Sequence, residues 1–259
     1  MTTAINNCIS NKSAAETFPS VSCCMPTYGR SVQIINEAVK SFIDQDYKGK
    51  KELIIYNDHS EIEFTYHHPE VRIYNSKKRE PSLGEKYNKT IDYARNEYII
   101  IWDDDDIYLP HRISYSINNS VDGFFIASKY FIYHEQTGTL SISNSNPAAS
   151  LCARKEQFLC LGGYDHKDKG ADLKMALHAS NLMKQQRHSM ENRDVFYLLK
   201  WSPTTRYHHS AVTRRHSDEE ARKLIDEKIP ITNHGKFNVE PKYANNYQIM
   251  IDDFIKNMK

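Results

Sequence analysis

Tyr98-Ile99-Ile100-Ile101-Trp102-Asp103-Asp104-Asp105-Asp106 decides how the rest of the chain is read. Five bulky apolar or aromatic residues run straight into four consecutive carboxylates. The apolar part has strand length, holds no Gly or Pro and has no polar face, the pattern of a parallel strand covered on both sides. Four adjacent carboxylates repel one another unless positive charge sits among them. At the carboxyl end of a buried strand they occupy the edge where open α/β sheets bind ligands. Strand alternation predicts that Asp103 and Asp105 point one way and Asp104 and Asp106 the other. Mg²⁺ or Mn²⁺ carrying a phosphorylated ligand suits the group, because these ions take one or two carboxylates together with phosphate oxygens. An isolated Asp run is ordinarily a solvated loop, and the buried strand before it tips the reading toward a site. A calcium loop fits poorly: counted from Asp103, Tyr108 and Ser114 stand where an EF-hand needs Gly and Glu.

Upstream of this stretch the pattern alternates. Residues 21–25 read as a first strand, broken by Pro26-Thr27-Tyr28-Gly29-Arg30. Ser31 is placed to cap a helix with an apolar stripe of Val32, Ile35, Val39, Phe42 and Ile43. A second strand at residues 52–56 ends in Asn57-Asp58-His59-Ser60, and residues 71–74 form a third. Ser82-Leu83-Gly84-Glu85 is a capping-box pattern opening a helix with Leu83, Tyr87, Ile91 and Ala94 on one face. The order β-α-β-β-α-β implies a largely parallel, Rossmann-like sheet with flanking helices. Three strands then end in polar clusters along one edge, and that edge is the expected site.

Downstream, residues 123–133 read as one strand, 140–142 as its hairpin return, 155–161 as a short helix, 172–190 as a helix and 195–201 as a strand. Residues 202–217 are a polar loop rich in His and Arg, followed by helices near 218–228 and 243–258. The expected organisation is a lead-in over residues 1–19 and one domain over 20–259, with a first half at 20–109 and an α+β half at 110–259.

At 259 residues, 39% apolar and 26% charged, the chain has an ordinary globular composition. Its net charge of +1 argues neither for nor against a polyanionic partner. The five cysteines, Cys8, Cys23, Cys24, Cys152 and Cys160, form no C-x-x-C pair and read as buried, reduced thiols of a cytoplasmic protein. No secretory signal is visible at the N-terminus and no apolar run reaches membrane-spanning length.

The ordered set Pro-Thr-Tyr-x-Arg, Asn-Asp-x-Ser and the Asp run followed by Ile-Tyr-Leu-Pro resembles the family-2 glycosyltransferases of GT-A fold over roughly residues 20 to 210. It is most similar to the spore-coat polysaccharide type and to small phage-type enzymes that act on DNA bases. The resemblance implies a nucleotide-sugar donor, a UDP-sugar foremost, held with Mn²⁺ or Mg²⁺, and inversion at the anomeric carbon. It implies a nucleotide-binding segment at Pro26, Thr27, Tyr28 and Arg30, with Tyr28 on the base and Arg30 near the phosphates. Asp58 matches the aspartate that reads the base edge, although Asn57 replaces the commoner Asp before it. Asp105 matches the metal ligand, and Asp103 or Asp104 meets the ribose or assists the metal. Asp172 matches the catalytic base, with Ala171 where the family keeps Glu, and His208 matches a late-loop ligand to the metal or pyrophosphate.

The acceptor implied is a hydroxyl on a glycan or on a hydroxymethylated base in DNA. Lys184, Arg187, Arg206, Arg214 and Arg215, with Tyr197, Trp201 and Tyr207, fall in the acceptor half and suit nucleic acid. Two other readings stand beside this one: a sugar nucleotidyltransferase, disfavoured by the absence of a Gly-rich loop after the first strand, and a non-catalytic nucleotide-sugar or glycan-binding module, which the Ala171 departure permits.

Overall fold

The computed structural model describes residues 18–202 and 216–258. The first half runs β1 (Val21–Thr27), α1 (Val32–Ile43), β2 (Lys51–Asn57), β3 (Ile62–Thr65), β4 (Val71–Asn75), α2 (Leu83–Asp92) and β5 (Tyr98–Ile101). Strands β4, β2, β1 and β5 lie side by side, all parallel. Every residue of β1 and β5 is buried, as their unbroken apolar character requires. Ile101 pairs with Cys24 and the Trp102 amide donates to the Cys24 carbonyl at 2.9 Å. The acidic run therefore leaves the sheet beside residues 26–30. The mainly parallel α/β architecture read from the sequence is the one observed.

The second half adds β6 (Ile107–Tyr108), α3 (Arg112–Asn118), β7 (Phe124–Phe125), β8 (Tyr130–His134), β9 (Thr139–Ser143), β10 (Cys152–Arg154), α4 (Lys155–Cys160), α5 (Leu173–Gln185), β11 (Tyr197–Trp201), α6 (Asp218–Glu227), β12 (Gly235–Asn238) and α7 (Tyr247–Asn257). Strand β10 pairs antiparallel with β5 and β7, completing a six-stranded sheet. A second sheet has the order β6-β11-β8-β9. The run expected as one strand at residues 123–133 is two strands in different sheets. Between them the Ala127 amide donates to Ser150 Oγ and the Ala127 carbonyl accepts from Asn146 Nδ2, so side chains replace strand partners and the chain changes sheet. Strand β9 returns on β8 as the expected hairpin.

Other local expectations shift. Ser82 caps α2, accepting from the Glu85 amide at 3.2 Å, whereas Ser31 precedes α1 without a side-chain cap bond. Helix α5 stops at Gln185, before Arg187, which has a positive φ of 52°. Strand β3 was not anticipated; it pairs with β12 in a separate two-stranded ribbon. Cys23, Cys24 and Cys152 are buried free thiols, but Cys160 is exposed, which corrects the reading of a uniformly buried set; Cys8 lies outside the described residues. Among the described residues no helix is long and apolar enough to cross a membrane.

The two main sheets are tied together by buried charge. Lys200 of β11 pairs with Glu37 of α1, and Glu37 also accepts from the Tyr247 hydroxyl of α7 at 2.6 Å. Breaking one member of such a pair leaves an uncompensated buried charge, which is why the tie fixes β11 against the first half.

Candidate active site

A cavity of about 430 Å³ opens at the carboxyl edge of the parallel sheet. Its walls bring together Pro26, Thr27, Tyr28, Arg30, the run from Asp103 to Asp106, and Asp172. Eight of these residues come from two strand ends more than 70 positions apart in sequence, so their convergence follows from the parallel sheet.

The acidic run does not alternate as a strand would. Strand β5 ends at Ile101 and residues 104 and 105 form a turn, so adjacent side chains share a direction. Arg30 Nε donates to Asp104 Oδ1 at 3.0 Å and Arg30 Nη2 donates to Asp105 Oδ2 at 2.6 Å. Asp103 accepts from the Tyr87 hydroxyl of α2 at 2.8 Å. Asp106 accepts from the Tyr197 hydroxyl at 2.7 Å and the Lys200 amide at 2.9 Å, which makes it an anchor for β11. Burial pushes the Asp103 carboxyl from 3.8 up to about 7, helped by the Asp105 charge. Burial raises Asp104 as well, against the pull of Arg30, and raises Asp106 strongly, again with Asp105 beside it. The physical cause is common to all three: desolvation penalises each charge and neighbouring carboxylates add to the cost.

The opposite side is basic and aromatic. Arg79, Lys86 and Arg222 line it. The Arg79 guanidinium carbon lies 4.0 Å from the Tyr28 ring centroid and Lys86 Nζ lies 4.9 Å from it, within range for cation–π attraction. Asp58 is not at the cavity wall. Its carboxylate is fully buried, pairs with Lys86 Nζ at 2.8 Å and accepts from the Glu80 amide at 2.9 Å. The neighbouring Asn57 is buried too, and its Nδ2 donates to the Ile62 carbonyl at 2.6 Å. An Asp has no donor for that bond, which accounts for Asn at this position.

Helix α6 closes this side. Arg222 donates to both oxygens of Asp168, at 2.7 and 3.0 Å, and to the Glu80 carbonyl at 3.1 Å. Asp226 accepts from Arg79 and from the Tyr28 hydroxyl, the latter at 2.9 Å.

Asp172 precedes α5 at the rim of the cavity and makes no side-chain cap bond. The loop before it packs on the first turn of α2. A Cβ on Gly84 would lie 1.8 Å from the Asp165 carbonyl oxygen, so only glycine admits this approach. Asp168 secures the same loop by accepting from the Leu83 amide at 2.6 Å. Ala171 is buried here, 3% exposed, and lines the cavity. Burial raises the Asp172 carboxyl above the usual carboxylate range, against the lowering effects of a backbone hydrogen bond and Lys167. Burial, rather than the helix terminus that Asp172 precedes, dominates its ionisation. His208, Arg206, Tyr207, Arg214 and Arg215 lie outside the described residues. Tyr197 is 3% exposed, lines the cavity beside Asp106 and donates its hydroxyl to that carboxylate.

The model for glycosyl transferase family 2 matches residues 22–221, most of the chain and all of this cavity except Arg222 and Ile225. The chain belongs to glycosyltransferase family 2. The acidic run at the end of β5 and the mixed sheet continued by β10 are thereby placed in a GT-A glycosyltransferase. An uncharacterised glycosyltransferase of Methanocaldococcus jannaschii is 31% identical over 124 residues, covering 44% of this chain and 43% of that protein. The match thus spans less than half of that relative. The crystal structure of S. aureus TarS overlays with a TM-score of 0.47 at 14% identity, covering 81% of this chain and 64% of that one.

Lys86, Arg222 and Asp168 were not legible as site residues of this glycosyltransferase. Lys86 lies one turn into α2 with no motif around it, and the Arg222–Asp168 pair joins positions 54 apart. Arg79 carried a signal as the end of Lys77-Lys78-Arg79, a run usually solvated but able to screen a diphosphate; Lys77 pairs at the surface with Glu63.

Proposed function

We propose that the enzyme transfers a sugar from a nucleotide-sugar donor, a UDP-sugar foremost, to a hydroxyl of a glycan acceptor, with inversion at the anomeric carbon. The observation that carries this reading is the single cavity in which Tyr28, a basic wall, the acidic run and Asp172 meet. The base stacks on Tyr28. Arg30, Arg79, Lys86 and Arg222 face the diphosphate, with Asp58 acting from behind by orienting Lys86. Asp103 and Asp104 are available to the ribose.

A divalent cation fits the acidic run on one observation: Arg30 draws Asp104 and Asp105 toward a single positive centre. Hard carboxylate oxygens suit Mn²⁺ or Mg²⁺. Among the described residues no three His, Cys, Asp or Glu side chains cluster as a ligand set; Asp105, assisted by Asp104, would hold the ion together with phosphate oxygens, with His208 as the further ligand the family resemblance implies. When bound, the ion neutralises charge developing on the leaving diphosphate. Arg30 adds fixed positive charge on the same side. Asp172 takes the acceptor hydroxyl proton as the oxygen attacks the face of the anomeric carbon remote from the diphosphate. Its raised pKa makes it a stronger base once ionised.

A glycan is preferred to a modified DNA base because Lys184 is the only described cation on the last turn of α5, a sparse basic face for a polyanion. Unpaired cysteines among the described residues support a reducing, cytoplasmic setting. The test is a thermal-shift screen with UDP, GDP and CDP sugars, each with and without Mn²⁺. One nucleotide should raise the melting temperature in Mn²⁺, because a ligand that binds only the folded state stabilises it by mass action. Stabilisation by none of them would overturn the donor reading.

A further inference from the structure

The ring that the donor base needs is already in use. Arg79 sits over Tyr28 at 4.0 Å and the His59 ring centroid lies 4.9 Å away. Stacked carbon atoms touch at about 3.5–4.0 Å, so Arg79 and a base cannot share one face. Arg79 is held there from α6: Asp226 accepts from Arg79 Nη1 with both oxygens, at 3.0 and 2.9 Å, and accepts the Tyr28 hydroxyl with one of them. Ala221 and Ile225 of α6 form a small apolar cluster with Tyr28 and Leu224, separate from the main core.

We propose that α6 is an autoinhibitory clasp: Asp226 holds Arg79 on the Tyr28 ring, and a nucleotide base takes that ring only when Arg79 is released. The inference rests on the reading of Tyr28 as the base-stacking residue. Release gives Arg79 a second anion to hold, since its guanidinium can exchange the Asp226 carboxylate for phosphate oxygens in the same forked geometry. The two ends of the clasp differ. The Arg79–Asp226 pair is 25% and 47% exposed, whereas Arg222 and Asp168 are 22% and 3% exposed. A pair as open as the first is weak and opens readily. The second keeps α6 tethered to the loop that carries Asp172.

Calorimetric titration with UDP in Mn²⁺ tests this. Asp226→Asn retains an acceptor for the Tyr28 hydroxyl but loses the charge that holds Arg79; it should bind UDP roughly two- to fivefold tighter, the range of an exposed ion pair. Glu227→Gln removes a neighbouring exposed charge of α6 without touching Arg79 and should leave affinity unchanged. Equal tightening in both variants would reduce the effect to net charge and overturn the clasp, as would unchanged or weaker binding by Asp226→Asn. Should Asp226→Asn fail to fold, Arg79→Gln titrated with uridine, which has no phosphate to lose, should show tighter binding; weaker binding overturns the proposal. Tyr28→Ala separates the two readings. If it weakens UDP while Asp226→Asn does not tighten it, the clasp alone falls; if Tyr28→Ala binds UDP as wild type does, the base assignment falls and the clasp with it.

Discussion

The two walls of the cavity are built in opposite ways. On the acidic wall Asp104 and Asp105 have side chains only 8% exposed, and Arg30 is 11% exposed. The partners of the run, Arg30, Tyr87, Tyr197 and the Lys200 amide, all stand on or beside elements packed against the sheets. On the basic wall Arg79 and Asp226 are far more open, and the pairing reaches across 147 positions to a helix that buries only Ala221 and Ile225. Buried, paired charges are costly to move; exposed pairs are not. The end of the cavity assigned to charge stabilisation is fixed, and the end assigned to the base is adjustable.

The largest effect should come from a residue belonging to neither wall. Asp172→Asn keeps size but loses basicity, so transfer should fall by roughly 10²–10⁴-fold while UDP affinity in Mn²⁺ stays at the wild-type value. Undiminished transfer would place the base elsewhere, and lost UDP affinity would place Asp172 on a donor wall. The same carboxylate sets a pH limit: its raised pKa requires the acidic limb of the kcat profile to lie above the ordinary carboxylate range. A limb near pH 4 would contradict this.

Asp105→Ala tests the fixed wall. The gain in UDP affinity on adding Mn²⁺ should vanish, while metal-free affinity is retained. A variant that still responds to Mn²⁺ as wild type does would remove Asp105 from the ion. The adjustable wall should respond more gently. Tyr28→Ala should weaken UDP by roughly 1 kcal/mol, the usual worth of an aromatic stack, with or without Mn²⁺. An effect seen only with the metal would join Tyr28 to the fixed wall and break the comparison.

The contrast also explains what could be read from the chain beforehand. The fixed wall hangs on β1, β2 and β5, whose unbroken apolar runs and parallel order announce both the sheet and the edge where Arg30 and the acidic run meet. Alternation failed at Asp104 and Asp105 because the strand ends at Ile101, and burial pattern does not reveal where hydrogen bonding stops. Asp58 was legible as a strand-end carboxylate, but its direction depends on Lys86 and the Glu80 amide, which no local pattern specifies. The adjustable wall was almost silent. Arg222, Asp226 and the β3–β12 ribbon are decided by long-range pairing, and a charged amphipathic helix carries no mark of what it covers.

The smallest effect tests whether the acidic wall is held at a cost to stability. Asp103 is raised from 3.8 to about 7 chiefly by burial and then by Asp105. Below about pH 4 the carboxyl is protonated in both folded and unfolded chains and the cost is absent. Between about pH 4 and 7 the unfolded chain has released its proton while the folded chain still binds it. The folded state then holds more protons, so stability falls as pH rises through this window and the loss is complete above the folded pKa. Asp103→Asn abolishes the titration and keeps an oxygen to accept from the Tyr87 hydroxyl. With EDTA present, the variant should melt at the wild-type temperature at pH 4 and roughly 2–4 °C higher at pH 8, the response of a chain this size to about 1 kcal/mol. A variant less stable than wild type at pH 8 would show that the charged carboxylate contributes more through Tyr87 than its burial costs, and the fixed wall would then be held by attraction at its base.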